Sequence, residues 1–148
     1  MILRIPDDKL GWKPHERSMT AGHLASHIAE MYSWGGATMK TDELDIAPVD
    51  GAKWEPFKGK STAEIAAKLE ENFKALQAAI TAATDDAAWM KMWSLKAGGQ
   101  TVMSLPRVAC MRGMIMKHIV HHRGQLSVYL RMMDLPVPAI YGPSADEK

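Results

Sequence analysis

The sequence predicts an all-α fold: a helical bundle of three long helices and one short one, with a small extended or hairpin segment before the last helix. Three observations carry that reading. Apolar residues recur at three- and four-residue spacings through three long stretches, the pattern of helices that each bury one face. Ser61-Thr62-Ala63-Glu64 is a capping box, in which a hydroxyl and a carboxylate satisfy the free amides of a helix start. Gly98-Gly99 separates two short runs, Met92-Trp93-Ser94-Leu95 and Thr101-Val102-Met103, as a hairpin turn would.

The elements follow in chain order. Met1 to Arg17 is broken by Pro6, Gly11 and Pro14 and reads as an irregular lead-in. Ser18 or Thr20 can cap a first helix that turns Leu24, His27, Ile28, Met31 and Trp34 inward and ends at Gly35-Gly36. Thr38 to Lys60 carries Pro48, Gly51, Pro56 and Gly59 and reads as a long loop. Loops beyond about 15 residues are unusual in a compact domain, so this one is either a functional lid or a surface loop pinned by Trp54 and Phe57. From the capping box a second helix runs to about Ala83, with Ile65, Leu69, Phe73, Leu76 and Ile80 inward. Thr84-Asp85-Asp86 caps a short turn containing Trp89. Ser104 and Pro106 open the last helix, with proline near the first turn where no amide donor is needed. That helix should end near Met133, before Pro136. The tail is ordered only if Tyr141 packs back.

Composition limits the function. A length of 148 residues fits one domain, spanning residues 1–148, with a real core. A net charge of +1 offers no electrostatic case for nucleic acid or an anionic membrane as a partner. The start has no long apolar run behind a basic segment, which argues against a secretory signal. No window approaches the roughly 18 uninterrupted apolar residues of a membrane span. A single cysteine, Cys110, forbids an internal disulfide and fits a cytoplasmic location. The 12 methionines point to an adaptable core. There is no P-loop, dinucleotide-binding glycine pattern or nucleophile elbow.

The chemistry concentrates in His118-Ile119-Val120-His121-His122-Arg123-Gly124-Gln125. His118 and His122 are four apart, so on a helix they differ by only about 40° around the axis. Two imidazoles on one face can share a divalent cation. The pair lies on an apolar stripe with Met111, Met114, Ile115, Leu126 and Tyr129, where unsatisfied polar groups cost about 1–3 kcal/mol each. Gly124 costs about 1 kcal/mol inside a helix and suggests that another helix approaches closely there. His27 is a third histidine on an apolar stripe, and His23 makes a second four-residue pair with it. Hydrogen-bonded core histidines are the alternative for each. Cys110, two turns before His118, is either a thiolate ligand or a small buried hydrophobe.

His118-x-x-His121-His122-Arg123-Gly124-Gln125 with Tyr129-Leu130-Arg131 resembles the C-terminal signature of the DinB-like metal-binding four-helix bundles. Trp12-Lys13-Pro14-His15, Leu24-Ala25-Ser26-His27-Ile28-Ala29-Glu30 and the tail Val137 to Ser144 resemble other segments of that family. The resemblance implies a metal triad of His27, His118 and His122, with His121 and Arg123 at motif positions that are not ligands. It also implies a first helix before Leu10 to His15, for which only nine residues are present. The expectation is therefore a homodimer, or a longer natural N-terminus, covering an otherwise wet apolar face.

The triad leaves open coordination positions that can acidify a water or take up a thiolate. Zinc is the first expectation, with nickel, iron or manganese as further candidates. Glu30, one turn beyond His27, is the candidate catalytic residue, to orient a ligand or move a proton; a solvated helix carboxylate is its alternative. The family includes thiol-dependent transferases, which implies a low-molecular-weight thiol cosubstrate. The expected function is a metal-dependent enzyme of the thiol-dependent S-transferase or hydrolase type, acting on a small-molecule substrate. The alternatives are a metal-binding stress-response or ligand-binding bundle without catalysis, and a metal-free bundle.

Overall fold

The computed structural model of the chain describes residues 1–51 and 54–147. Ala52 and Lys53, inside the loop expected from Thr38 to Lys60, lie outside the described residues. Helix α1 spans Ala21–Lys40, strand β1 Glu43–Asp45, helix α2 Thr62–Ala82 and the short helix α3 Asp86–Met90. Strands β2 (Met92–Ala97) and β3 (Gln100–Pro106) follow. The last rod has three parts: α4 (Arg107–Cys110), a π-helical stretch (Met111–Met116) and α5 (Lys117–Met132). The chain is mostly helical, and the hairpin expected before the last helix is present as β2 and β3; β1 joins it to make a three-stranded sheet among the described residues, so the fold is not strictly all-α.

The helix starts follow their capping chemistry. Thr20 Oγ1 accepts from the His23 amide, Ser61 Oγ from Glu64 and Asp85 Oδ1 from Ala88. Glu64 reaches back to the Lys60 amide, one residue before the cap. The hairpin turn is Gly98-Gly99, at φ +60° and +76°, the pair of positive angles that a tight two-residue turn requires. β2 pairs antiparallel with β3 and parallel with β1, Leu44 lying opposite Leu95.

Four expectations are corrected. α1 does not end at Gly35-Gly36 but continues past them to Lys40. A Cβ at Gly35 would sit 3.1 Å from both terminal methyls of Leu76, so this glycine permits close packing of α1 on α2. Conversely, a Cβ at Gly124 would meet nothing within 4 Å, so no helix among the described residues packs closely there. The tail is anchored without Tyr141, which is 91% exposed. Asp146 instead holds Arg131 and the Val137 amide, and Glu147 pairs with Arg4. On α2, Ile65 and Leu76 are buried as expected, but Phe73 and Ile80 stand exposed.

The π-helical stretch has a packing reason. Arg107, Met111 and Ile115 are buried and Ile119 is half-buried, a strict four-residue spacing. A pure α-helix drifts by about 40° every four residues, and a wider turn takes that drift back. The core comprises two clusters. Ile2 and Ile5 of the lead-in join Leu24, Ile28, Ile65, Leu126 and Leu130 in one, and Met39, Leu76, Met111 and Ile115 form the other. The lead-in, expected to be irregular, therefore supplies core side chains of its own.

Candidate metal centre

α1 and α5 bring His27, His118 and His122 together. One ring nitrogen from each lies within 4.8 Å of the other two, against the about 3–4 Å expected for ligands of a single ion. The His27 ring is 4.7 Å from that of His122 and 5.3 Å from that of His118, centroid to centroid. His122 is buried; the other two are half-buried. No other group of three histidine, cysteine or acidic side chains among the described residues has this geometry.

Protonation follows from the hydrogen bonds. His122 Nδ1 lies 2.6 Å from Gln125 Oε1, which can only accept. Nδ1 therefore carries the proton, and Nε2 keeps its lone pair. That Nε2 lies 2.7 Å from His118 Nε2. Two lone pairs cannot face each other at this distance, so the contact needs one shared proton or a cation in its place. Burial holds all three imidazoles below their ordinary range. His27 goes farthest, to about 4, with its histidine neighbours adding to the effect of burial. At His118 the nearby histidines reinforce burial and the Met114 carbonyl opposes it. At His122 burial outweighs the bond to Gln125. Three neutral imidazoles with converging nitrogens suit a divalent cation.

The remaining candidates, Glu30 among them, are not part of this three-histidine group. His23 is exposed at the first turn of α1 and stays outside the cluster. His121 is exposed, although its ring is 4.9 Å from that of His122. Arg123 places its guanidinium 5.7 Å from the Tyr141 ring. Cys110 is buried, outside the histidine cluster, and burial pushes its thiol up. Glu30 Oε1 accepts from the Phe57 amide at 3.1 Å, while its buried Oε2 has no partner among the described residues. Burial raises its pKa, against lowering by that amide, His23 and Lys68.

Two residues of the site escaped sequence reasoning. Gln125 fixes the tautomer of His122, and its three-residue spacing was the available signal. Trp34, given only as an inward residue, stands with its ring 5.4 Å from His27 and 6.4 Å from His118.

The fold has solved counterparts. A DinB-like protein from Bacillus cereus ATCC 10987 matches at a TM-score of 0.68 and 21% identity, over 95% of this chain and 86% of that one. A DinB-like protein from Bacillus subtilis matches at 0.66 and 18%, over 99% of this chain and 87% of that one. At these identities the likeness concerns the fold alone. No curated protein matches. The pattern of the DinB family, by contrast, matches residues 1–148 from one end to the other, and this chain belongs to the DinB family.

Proposed function

We propose that the chain is a cytoplasmic metal-dependent enzyme of the thiol-dependent S-transferase or hydrolase type, with a divalent cation held by His27, His118 and His122. The observation that carries the reading is the convergence of three imidazole nitrogens within 4.8 Å. Zinc is the first candidate for a three-histidine set, and nickel, iron and manganese follow. When bound, the cation supplies Lewis acidity to a water or a thiol. The chain's own residues prepare the site: Gln125 orients His122, and burial keeps the imidazoles neutral. Glu30, one turn beyond His27 on α1 and with a buried Oε2 that has no partner among the described residues, is proposed to hold and release a proton. A low-molecular-weight thiol as cosubstrate and a small molecule as substrate rest on the family resemblance.

Elemental analysis of protein purified without a histidine tag, before and after dialysis against zinc, tests the site. About one ion per chain is expected, as a single three-histidine site requires. No uptake overturns the reading and leaves a metal-free bundle. Turnover of thiol with an electrophile, or of an ester, should then depend on the metal. Uptake without turnover identifies a metal-binding stress-response or ligand-binding bundle. Glu30→Gln should keep the metal and lose turnover, with a changed pH profile.

A homodimer is proposed as well. Met116, which ends the π-helical stretch, and Val120, Val128 and Met132 of α5 are 58%, 46%, 55% and 53% exposed and, with Gly124 between them, recur every four residues as one ridge. Such ridges interlock across a two-fold axis, and a central glycine lets the backbones approach. Sedimentation should show a dimer that Val120→Glu dissociates; a wild-type monomer at all concentrations refutes it.

A further inference from the structure

We propose that the cavity between the sheet and α1 holds the uncharged ring or short alkyl group of a ligand whose polar end reaches the triad, an inference that rests on the metal-site reading above. The cavity measures ≈ 150 Å³ and is walled by Trp34, Trp54, Trp93, Leu44, Leu95 and Met114. The cavity opens to solvent past Trp54 and Ile46, which are 43% and 41% exposed, so a ligand can enter it. An engineered apolar cavity of about this volume stays dry and accepts benzene.

The walls are built to be apolar. Trp93 is 1% exposed, and its indole nitrogen donates to Thr41 Oγ1 at 3.2 Å, so its polar end is already satisfied. Asp45 also borders the cavity, but its carboxylate is spent on the sheet. Oδ1 accepts from the amides of Ala47 and Gly98 at 2.9 and 3.1 Å, and Oδ2 from Gly99 at 2.7 Å. No lysine or arginine lines the cavity among the described residues, so a carboxylate entering it would stay unpaired. Selection therefore favours an uncharged group over an acidic one.

Trp34 links this cavity to the histidines. Its ring packs edge-on against His27 at 5.4 Å and against Trp54 at 5.8 Å. One side chain thus borders both the cavity and the triad, and Met114 lies one turn before His118 on the same rod. A ligand with a thiol at one end and a ring at the other has the chemistry of both places. The small sheet, which takes no part in holding the histidines, acquires a role as the cavity's outer wall.

Binding to the full chain tests this through tryptophan fluorescence, since three tryptophans border the cavity. The probes are toluene, benzyl mercaptan and mercaptosuccinate, each with and without zinc. Toluene should bind with and without metal, and Leu95→Trp, which fills the cavity, should weaken it at least about tenfold. On the zinc-loaded protein, benzyl mercaptan should bind at least about tenfold more tightly than mercaptosuccinate. His122→Ala should remove the advantage of benzyl mercaptan over toluene and leave toluene unchanged. Should Leu95→Trp fail to fold, Leu95→Ala must shift the preference from toluene to naphthalene. Absent toluene binding, toluene binding indifferent to Leu95, or mercaptosuccinate binding as tightly as benzyl mercaptan overturns the proposal. A protein that takes up no zinc overturns the triad reading instead, and the toluene arm alone then decides whether the cavity is a ring-binding site.

Discussion

Helices α1 and α5 carry the same two sequence signals and use them differently. Each has histidines four apart, His23 and His27 on one, His118 and His122 on the other. Each also has glycine in its interior, Gly35 on one and Gly124 on the other. α5 commits both histidines to the cluster, whereas α1 commits only His27 because His23 sits on the exposed side of its first turn. α1 packs its glycine against Leu76, whereas α5 leaves its glycine facing open space. Spacing brings side chains to one face, but only a neighbouring surface turns that face into a site or a contact.

The largest effect should come from unequal treatment of the two pairs. His122→Ala removes a nitrogen that converges with two others, and its loss of metal should exceed the about 10–100-fold that an outer partner costs. His23→Ala should leave metal content unaltered, since His23 touches the site only through its weak field at His27. Equal losses, read by elemental analysis, would mean that α1 contributes a different histidine. Gln125→Leu comes next. It removes the acceptor 2.6 Å from His122 Nδ1, frees the tautomer, and should weaken metal affinity by about 10–100-fold in a competition titration. An unchanged affinity would show that the packing of His122 alone orients its ring.

What was legible follows the same division. The pair on α5 stood out because four-residue spacing on an apolar stripe is a local property. The apolar stripe of α1 already turns His27 inward, whereas its assignment as the third ligand comes from the family resemblance. Glu43-Leu44-Asp45 is too short to show alternation, and its pairing as β1 depends on β2 residues 51 positions on. Gly35-Gly36 reads as a helix end because glycine weakens a helix, but the penalty is only about 1 kcal/mol, which close packing on Leu76 can offset. The π-helical stretch has no local sequence marker; its spacing of four matters only against a fixed core.

Acid should separate the two pairs more gently. For the metal-free protein, His27 is ordinary in the unfolded chain, near 6.5, and about 4 in the folded one. Between those values the unfolded state binds more protons, so stability is full above about pH 6.5 and erodes as pH falls towards 4. Thermal melting across that window should show the fall, and His27→Gln should flatten part of it. A melting temperature equally sensitive in His27→Gln would place the responsible titration elsewhere, with His118 and His122, which burial also holds below their ordinary range, as the next candidates.

The smallest effect concerns the glycines. Alanine is favoured over glycine by about 1 kcal/mol within a helix, so Gly124→Ala, which meets nothing, should stabilise the monomer by about that amount. Gly35→Ala places a methyl 3.1 Å from Leu76, whose side chain is buried and must yield. Overpacking of this kind costs about 1–3 kcal/mol, which cancels or reverses the helical gain. Urea unfolding at a concentration low enough for monomers should therefore rank Gly124→Ala above Gly35→Ala by at least about 1 kcal/mol. The order is informative at high concentration too. If a second copy crosses α5 at Gly124, the added methyl holds the backbones apart, so the variant that is more stable alone should dimerise less. Equal dimerisation of Gly124→Ala and the wild type would move the contact off this ridge.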